Sequence, residues 1–145
     1  MRAALAEARK AKEKDEVPIG AVIVCDGKII ARAYNRKEKT KRAVAHAELL
    51  AIEKANRKMG DWRLPGCELY VTIEPCLMCV GAIIQARIEK VVYGAPDKKF
   101  GAIESVVQSF ESTGWNHYPE VTGGVLAEEC AQIITKYFND KRDRK

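Results

Sequence analysis

The sequence predicts an α/β protein, a layered sheet with helices on both faces whose first two strands are antiparallel and whose later strands are partly parallel. Three observations lead there. Runs rich in β-formers alternate with stretches of helical periodicity, which requires crossover connections and therefore parallel neighbours. Asp26-Gly27 stands between two β-rich runs, and both residues suit the positive φ angles of a type I′ hairpin turn. The chain has 145 residues, 47% hydrophobic and 31% charged, enough to bury roughly 68–70% of its unfolded surface in one core without disulfides or metal. Residues 1–145 therefore read as a single domain.

Ala3, Ala4, Leu5, Ala8 and Ala11 fall at helical spacing among charged residues, so 2–14 is expected to be an amphipathic helix that stops before Pro18. Ile19 to Cys25 and Lys28 to Tyr34 form the predicted hairpin. Asn35 to Arg42 contains Arg36, Lys37, Lys39, Lys41 and Arg42 and no apolar residue, as in an exposed basic loop. Val44 to Met59 is predicted helical, with Ala47, Leu50, Ala51 and Ala55 on one face and Gly60 as its stop. Glu68 to Ile73 is a strand, Cys76 to Ala86 a mostly apolar helix and Lys90 to Tyr93 a further strand. A loop over 94–101 and a polar segment to Pro119 lead to a weak strand, Glu120 to Gly123. The last helix is expected over Ala127 to Asn139, with the charged 141–145 tail frayed.

Composition excludes several classes. No apolar run approaches the roughly 20 residues of a membrane span, and Met1 to Lys14 is charged throughout, unlike a signal peptide. A cytoplasmic protein without membrane association is expected. Five cysteines, an odd number without an export signal, argue against a disulfide framework and for thiols that are buried, reactive or metal-bound. The net charge of +5 suits a polyanionic partner without requiring one.

Two short patterns carry chemistry: His46-Ala47-Glu48 and Pro75-Cys76-Leu77-Met78-Cys79, each at the start of a predicted helix. Unpaired backbone N–H groups and the positive end of the helix dipole gather there and favour thiolates. Cysteines three apart share one helix face, so both sulfurs can reach one Zn²⁺. With His46 they supply three protein ligands, the number found in catalytic zinc sites that leave one position for water. Glu48, near the ligands without being one of them, suits a carboxylate that takes a proton from that water and passes it to a leaving group. A closed structural site would need a fourth ligand, for which Cys25, Cys67, Cys130 and His117 are the candidates. Cys25 and Cys67 read more simply as small buried residues in or beside strands. A redox role for Cys76-x-x-Cys79 is weaker, because no Trp-containing loop precedes it.

His-x-Glu followed by Pro-Cys-x-x-Cys is the zinc deaminase signature. Beyond it, the chain resembles the bacterial tRNA-specific adenosine deaminases of the cytidine deaminase-like superfamily along nearly its whole length. The matching blocks are 16–24, 34–36, 45–48, 69–79, 87–88, 91–95, 97–102 and 116–117. The resemblance implies a three-layer α/β/α sandwich with a five-stranded mixed sheet and one zinc ion per chain. It implies His46, Cys76 and Cys79 as ligands and Glu48 as proton shuttle for converting the wobble adenosine of a tRNA anticodon loop to inosine, in a homodimer. Asn35 matches the residue that hydrogen-bonds the target base; Asp97, Lys99, Asn116 and His117 match positions near the substrate-binding loops. One departure stands out: where the family usually has Asp-Pro-Thr, this chain has Lys41-Arg42-Ala43-Val44. That replacement is expected to loosen the approach to the helix and to make it more basic.

A tRNA substrate needs basic side chains for its phosphates, and Arg36 to Arg42, Lys98, Lys99 and the 141–145 tail offer them. Two other readings remain open on sequence. A deaminase of free nucleobases or nucleosides would share the zinc and Glu48 but need no basic rim, and a noncatalytic zinc-stabilised module would use Glu48 only as a surface carboxylate.

Overall fold

A computed structural model describes residues 1–144; Lys145, the end of the expected tail, lies outside them. The elements are α1 (Arg2–Glu13), β1 (Gly20–Cys25), β2 (Lys28–Tyr34), α2 (Lys37–Thr40), α3 (Ala47–Met59), β3 (Cys67–Ile73), α4 (Leu77–Gln85), β4 (Lys90–Ala95), β5 (Glu120–Thr122) and α5 (Ala127–Asp143). The strands form one sheet in the order β2-β1-β3-β4-β5. β1 pairs antiparallel with β2 and β3, and β4 runs parallel to β3 and β5, so the sheet is mixed as expected.

α3 and α4 cover one face, α1 and α5 the other. The larger core lies under α3 and α4, where Ala51, Ile52, Ala55, Val80 and Ile83 meet Ala21, Ile23, Leu69 and Val71. Small residues set the spacing on the opposite face. A Cβ at Gly20 would overlap the backbone of α1 at Ala4, and one at Gly94 would overlap the Cys130 thiol of α5, so glycine lets both helices seat against the sheet. The hairpin turn at Asp26-Gly27 has positive φ at both residues, 52° and 76°.

Four stretches differ from the sequence reading by more than one residue. The basic stretch after Asn35 is not all loop: Lys37–Thr40 makes one helical turn because the Glu16 carboxylate accepts the amide N–H groups of Glu38 and Lys39 at 3.0 and 2.8 Å. α3 begins at Ala47, three residues later than Val44, with His46 as an extended N-cap. β4 continues through Gly94 and Ala95, where Glu74 N–H donates to the Ala95 carbonyl. α5 runs on to Asp143 instead of fraying after Asn139, since Lys141 and Arg144 reach Asp15 beyond α1 and Tyr137 Oη donates to the Asp15 carbonyl at 3.1 Å.

Backbone hydrogen bonds flank the stretch 41–44, where the family's proline is absent. Arg36 N–H donates to Ala45 O, Ala45 N–H to Arg42 O and His46 N–H to Val44 O. No helix among the described residues is long and apolar enough to cross a membrane.

Candidate active site

The site is built where two helices begin. His46 caps α3 and Cys76 caps α4, both with extended backbone, and Cys79 lies in the first turn of α4. The two N-termini converge, so their unpaired N–H groups and dipoles favour negative charge at one point. His46 Nδ1 lies 3.6 Å from Cys76 Sγ and 3.6 Å from Cys79 Sγ. The three ligand atoms fall within 4.8 Å of one another.

These residues fit zinc on geometry and on chemistry. With about 2.3 Å to sulfur, about 2.0–2.1 Å to nitrogen and tetrahedral angles, a zinc ion holds S and N about 3.6 Å apart, the separation seen here. The electrostatics agree. The adjacent Cys79, and then His46, hold the Cys76 thiol down to about 4, overcoming burial. Cys79 is pushed far up, by Cys76 first and then by burial and Glu48. Cys76 in turn raises His46. A second thiolate is thus opposed by the negative groups already gathered and by burial, and a divalent cation would relieve that crowding.

Glu48, in the first turn of α3, is buried, and burial pushes its carboxyl up to about 7 against the opposing effect of its own backbone N–H and of His46. A carboxyl in that range can both take and give a proton near neutral pH.

The group opens onto a cavity of about 650 Å³, within the range for small-ligand sites. One wall carries Val17, Ile19, Asn35 and Lys37; the opposite wall carries Glu74 and Pro96 to Phe100. Ile134 and Phe138 of α5 close a third side. Asn35 is buried, its Nδ2 donating to Val17 O at 3.3 Å and its Oδ1 accepting Lys37 N–H. Asp97 lines the cavity and shapes it, accepting the N–H groups of Lys99 and Phe100 at 3.0 and 3.1 Å.

The structure brings His46, Glu48, Cys76, Cys79, Asn35, Asp97 and Lys99 together at this cavity, and places Asn116 and His117 away from it. Neither lines the cavity. The His117 ring is hydrogen-bonded to Ile88 O at 2.6 Å, before the start of β4 and so at the opposite end of that strand from Asp97 and Lys99. Nor does any candidate fourth ligand join the site: Cys25 and Cys67 pair across β1 and β3 at the far end of the sheet, and Cys130 is buried against Gly94.

Sequence reasoning missed four residues. Ile134 and Phe138 carry no motif and are found only when α5 is placed. Glu16 and Glu74 lie within the matching blocks, and the signal was a charged residue beside apolar strands, each buried to 1% exposure. Glu74 accepts the N–H groups of Asp97, Ile103, Glu104 and Ser105 at 2.8–3.1 Å and the Ser105 hydroxyl at 2.5 Å. Burial pushes its carboxyl up, but these donors outweigh it and the group lies below the usual carboxylate range.

A family model for MafB19-like deaminases matches residues 1–142. The tRNA-specific adenosine deaminase of Bacillus subtilis is 49% identical over 145 residues, covering 100% of this chain and 90% of that protein. A solved structure from work on A-to-I editing by tRNA:A34 deaminases at the wobble position superimposes with a TM-score of 0.89 and 50% identity, over 92% of this chain and 96% of that one. A guanine deaminase from Nitrosomonas europaea has the same fold at a TM-score of 0.77 and 26% identity, over 92% of this chain and 80% of that one. The three-layer sandwich, the His/Cys/Cys group beside a buried glutamate and these full-length likenesses converge: the chain belongs to the MafB19-like deaminase family and, within it, to the tRNA-specific adenosine deaminases.

Proposed function

We propose that this protein hydrolyses the wobble adenosine of a tRNA anticodon loop to inosine, releasing ammonia, with one zinc ion per chain held by His46, Cys76 and Cys79. The observation that carries this reading is the equal 3.6 Å spacing of His46 Nδ1 from both sulfurs, beside buried Glu48 on the cavity wall. Bound there, zinc supplies a Lewis acid that makes hydroxide available near neutral pH. Glu48 accepts a proton as water adds to the adenine carbon bearing the amino group, and returns it to the departing amine. Asn35 contributes amide groups to hold the base in the cavity, and Asp97 and Lys99 shape its rim. Lys37, Lys98 and Lys99 supply positive charge where the phosphates flanking an extruded nucleotide would pass.

We further infer that the protein acts as a homodimer in the cytoplasm. Apolar side chains are exposed beside the metal ligands: Leu77 is 66% and Phe100 69% exposed, with Met78, Val106 and Val107 nearby. The 100–107 segment is joined to the start of α4 by the Cys76–Gly101 bridge and by Ala102 N–H donating to Pro75 O at 2.9 Å, so these residues flank one surface. A second copy of the chain fits such a patch.

Incubation with total tRNA followed by nucleoside analysis tests the function. Inosine should appear, and binding should weaken as salt rises, with a slope near −0.7 per neutralised single-strand phosphate. Turnover of free guanine or adenosine without inosine in tRNA would favour the small-molecule reading instead.

A further inference from the structure

We propose that Glu16 and Glu74 are a pair of positioning residues that fix the two facing walls of the substrate cavity; this rests on the function proposed above. Among the described residues, neither carboxylate forms an ion pair. Both are 1% exposed and are satisfied by backbone N–H groups, with the Ser105 hydroxyl added at Glu74. That choice of partner matters. A lysine or arginine would neutralise the charge and leave the loops free, whereas main-chain donors satisfy it only when the loop takes one path.

Glu16 sits at the junction of two segments of its wall. Its own N–H donates to Ala11 O at the end of α1, and its two oxygens accept one N–H each from Glu38 and Lys39. Val17 and Ile19 follow it in sequence, and Asn35 and Lys37 are held opposite them, with Asn35 N–H donating to Ile19 O at 3.0 Å. One buried carboxylate therefore joins the segments that contribute all four residues of this wall. Glu74 does the same for the facing wall, gathering amides from Asp97 and from 103–105. The fit at Glu74 is close: a Cβ at Gly101 would overlap its carboxyl group, so glycine is needed for the loop to close over it. Neither residue is placed to touch the reacting atoms; each acts through the loop it holds.

Replacing either by glutamine keeps the size but turns one acceptor oxygen into a donor that faces an N–H. E16Q and E74Q should each raise KM for an anticodon stem-loop RNA roughly tenfold, the effect of losing one charge-assisted bond, with kcat changed less than about twofold and zinc still bound at one per chain. Faster amide exchange should be confined to 36–40 in E16Q and to 97–105 in E74Q. E16D, which keeps two acceptor oxygens, should recover part of the KM. If E74Q does not fold, S105A removes a single donor and should give the same pattern with a smaller KM rise. A fall in kcat at unchanged KM, loss of zinc, or constants that do not move would overturn the positioning role. Inosine formation by the unmodified protein is the control, since its absence counts against the proposed function itself.

Discussion

Two pairs of cysteines sit at opposite ends of β3, and their surroundings differ in each respect that governs thiol chemistry. Cys76 and Cys79 follow the strand, at the start of a helix, within 3.6 Å of His46. Cys25 and Cys67 face each other across β1 and β3 at the strand's beginning, within the sheet and away from the starts of α3 and α4. Cys76 is held down to about 4, whereas Cys67 is pushed up to about 12, by burial first and then by Cys25. One fold thus makes a thiolate at one end of a strand and an inert thiol at the other. The residue type is the same; the neighbouring Cys79 first, and then the imidazole and the N–H at the helix start, decide the chemistry.

The largest effect separating the two ends should come from serine substitution. Cys76→Ser or Cys79→Ser should remove the metal and bring deamination to background, as read by elemental analysis and inosine formation. Full zinc in either variant would break the contrast. Cys67→Ser should instead keep one zinc per chain and normal turnover while lowering stability by about 1–3 kcal/mol, because a hydroxyl replaces a buried thiol. Its melting temperature reads that loss, and zinc loss there would show the far pair to be part of the metal site.

Acid should reveal a smaller effect, at Glu74. Its folded pKa lies below its ordinary value, so its contribution to the 97–105 wall is complete above the usual glutamate range near 4.5. That contribution should disappear as pH falls through the lower folded value. Amide exchange at Ile103, Glu104 and Ser105, corrected for intrinsic rates, should be unaffected from pH 7 to 5 and accelerate only in stronger acid. Acceleration already near pH 6 would mean that the carboxylate does not hold the loop. Smallest of all should be Cys25→Ser: Cys25 is only half-buried, and a change of about 0.5 kcal/mol with unaltered zinc and turnover is expected.

The contrast also shows what was legible in the sequence. The Cys76–Cys79 pair was readable because it is local, one turn of one helix, and His46, 30 residues earlier, because it belongs to the same short signature. The hairpin was readable from Asp26-Gly27 because it too is local. The cavity was less so, because its walls join distant segments. Nothing near Phe138 indicates that α5 crosses the site, and the one-turn helix at Lys37–Thr40 depends on a carboxylate 22 residues away. For Asn116 and His117 a matching block gives identity without position: the structure sets them off the cavity lining, with His117 hydrogen-bonded to the Ile88 carbonyl. The tail seemed free to fray because its anchor, Asp15, lies at the other end of the chain.

In the proposed reaction Glu48 moves the proton at a zinc centre it does not ligate. The direct measurement is zinc content and inosine formation on the same preparation of Glu48→Ala, with an anticodon stem-loop as substrate. One zinc per chain should remain and turnover should fall by at least about 10²–10⁴-fold; loss of the metal, or substantial inosine formation with the metal retained, would contradict the proton-transfer role of Glu48.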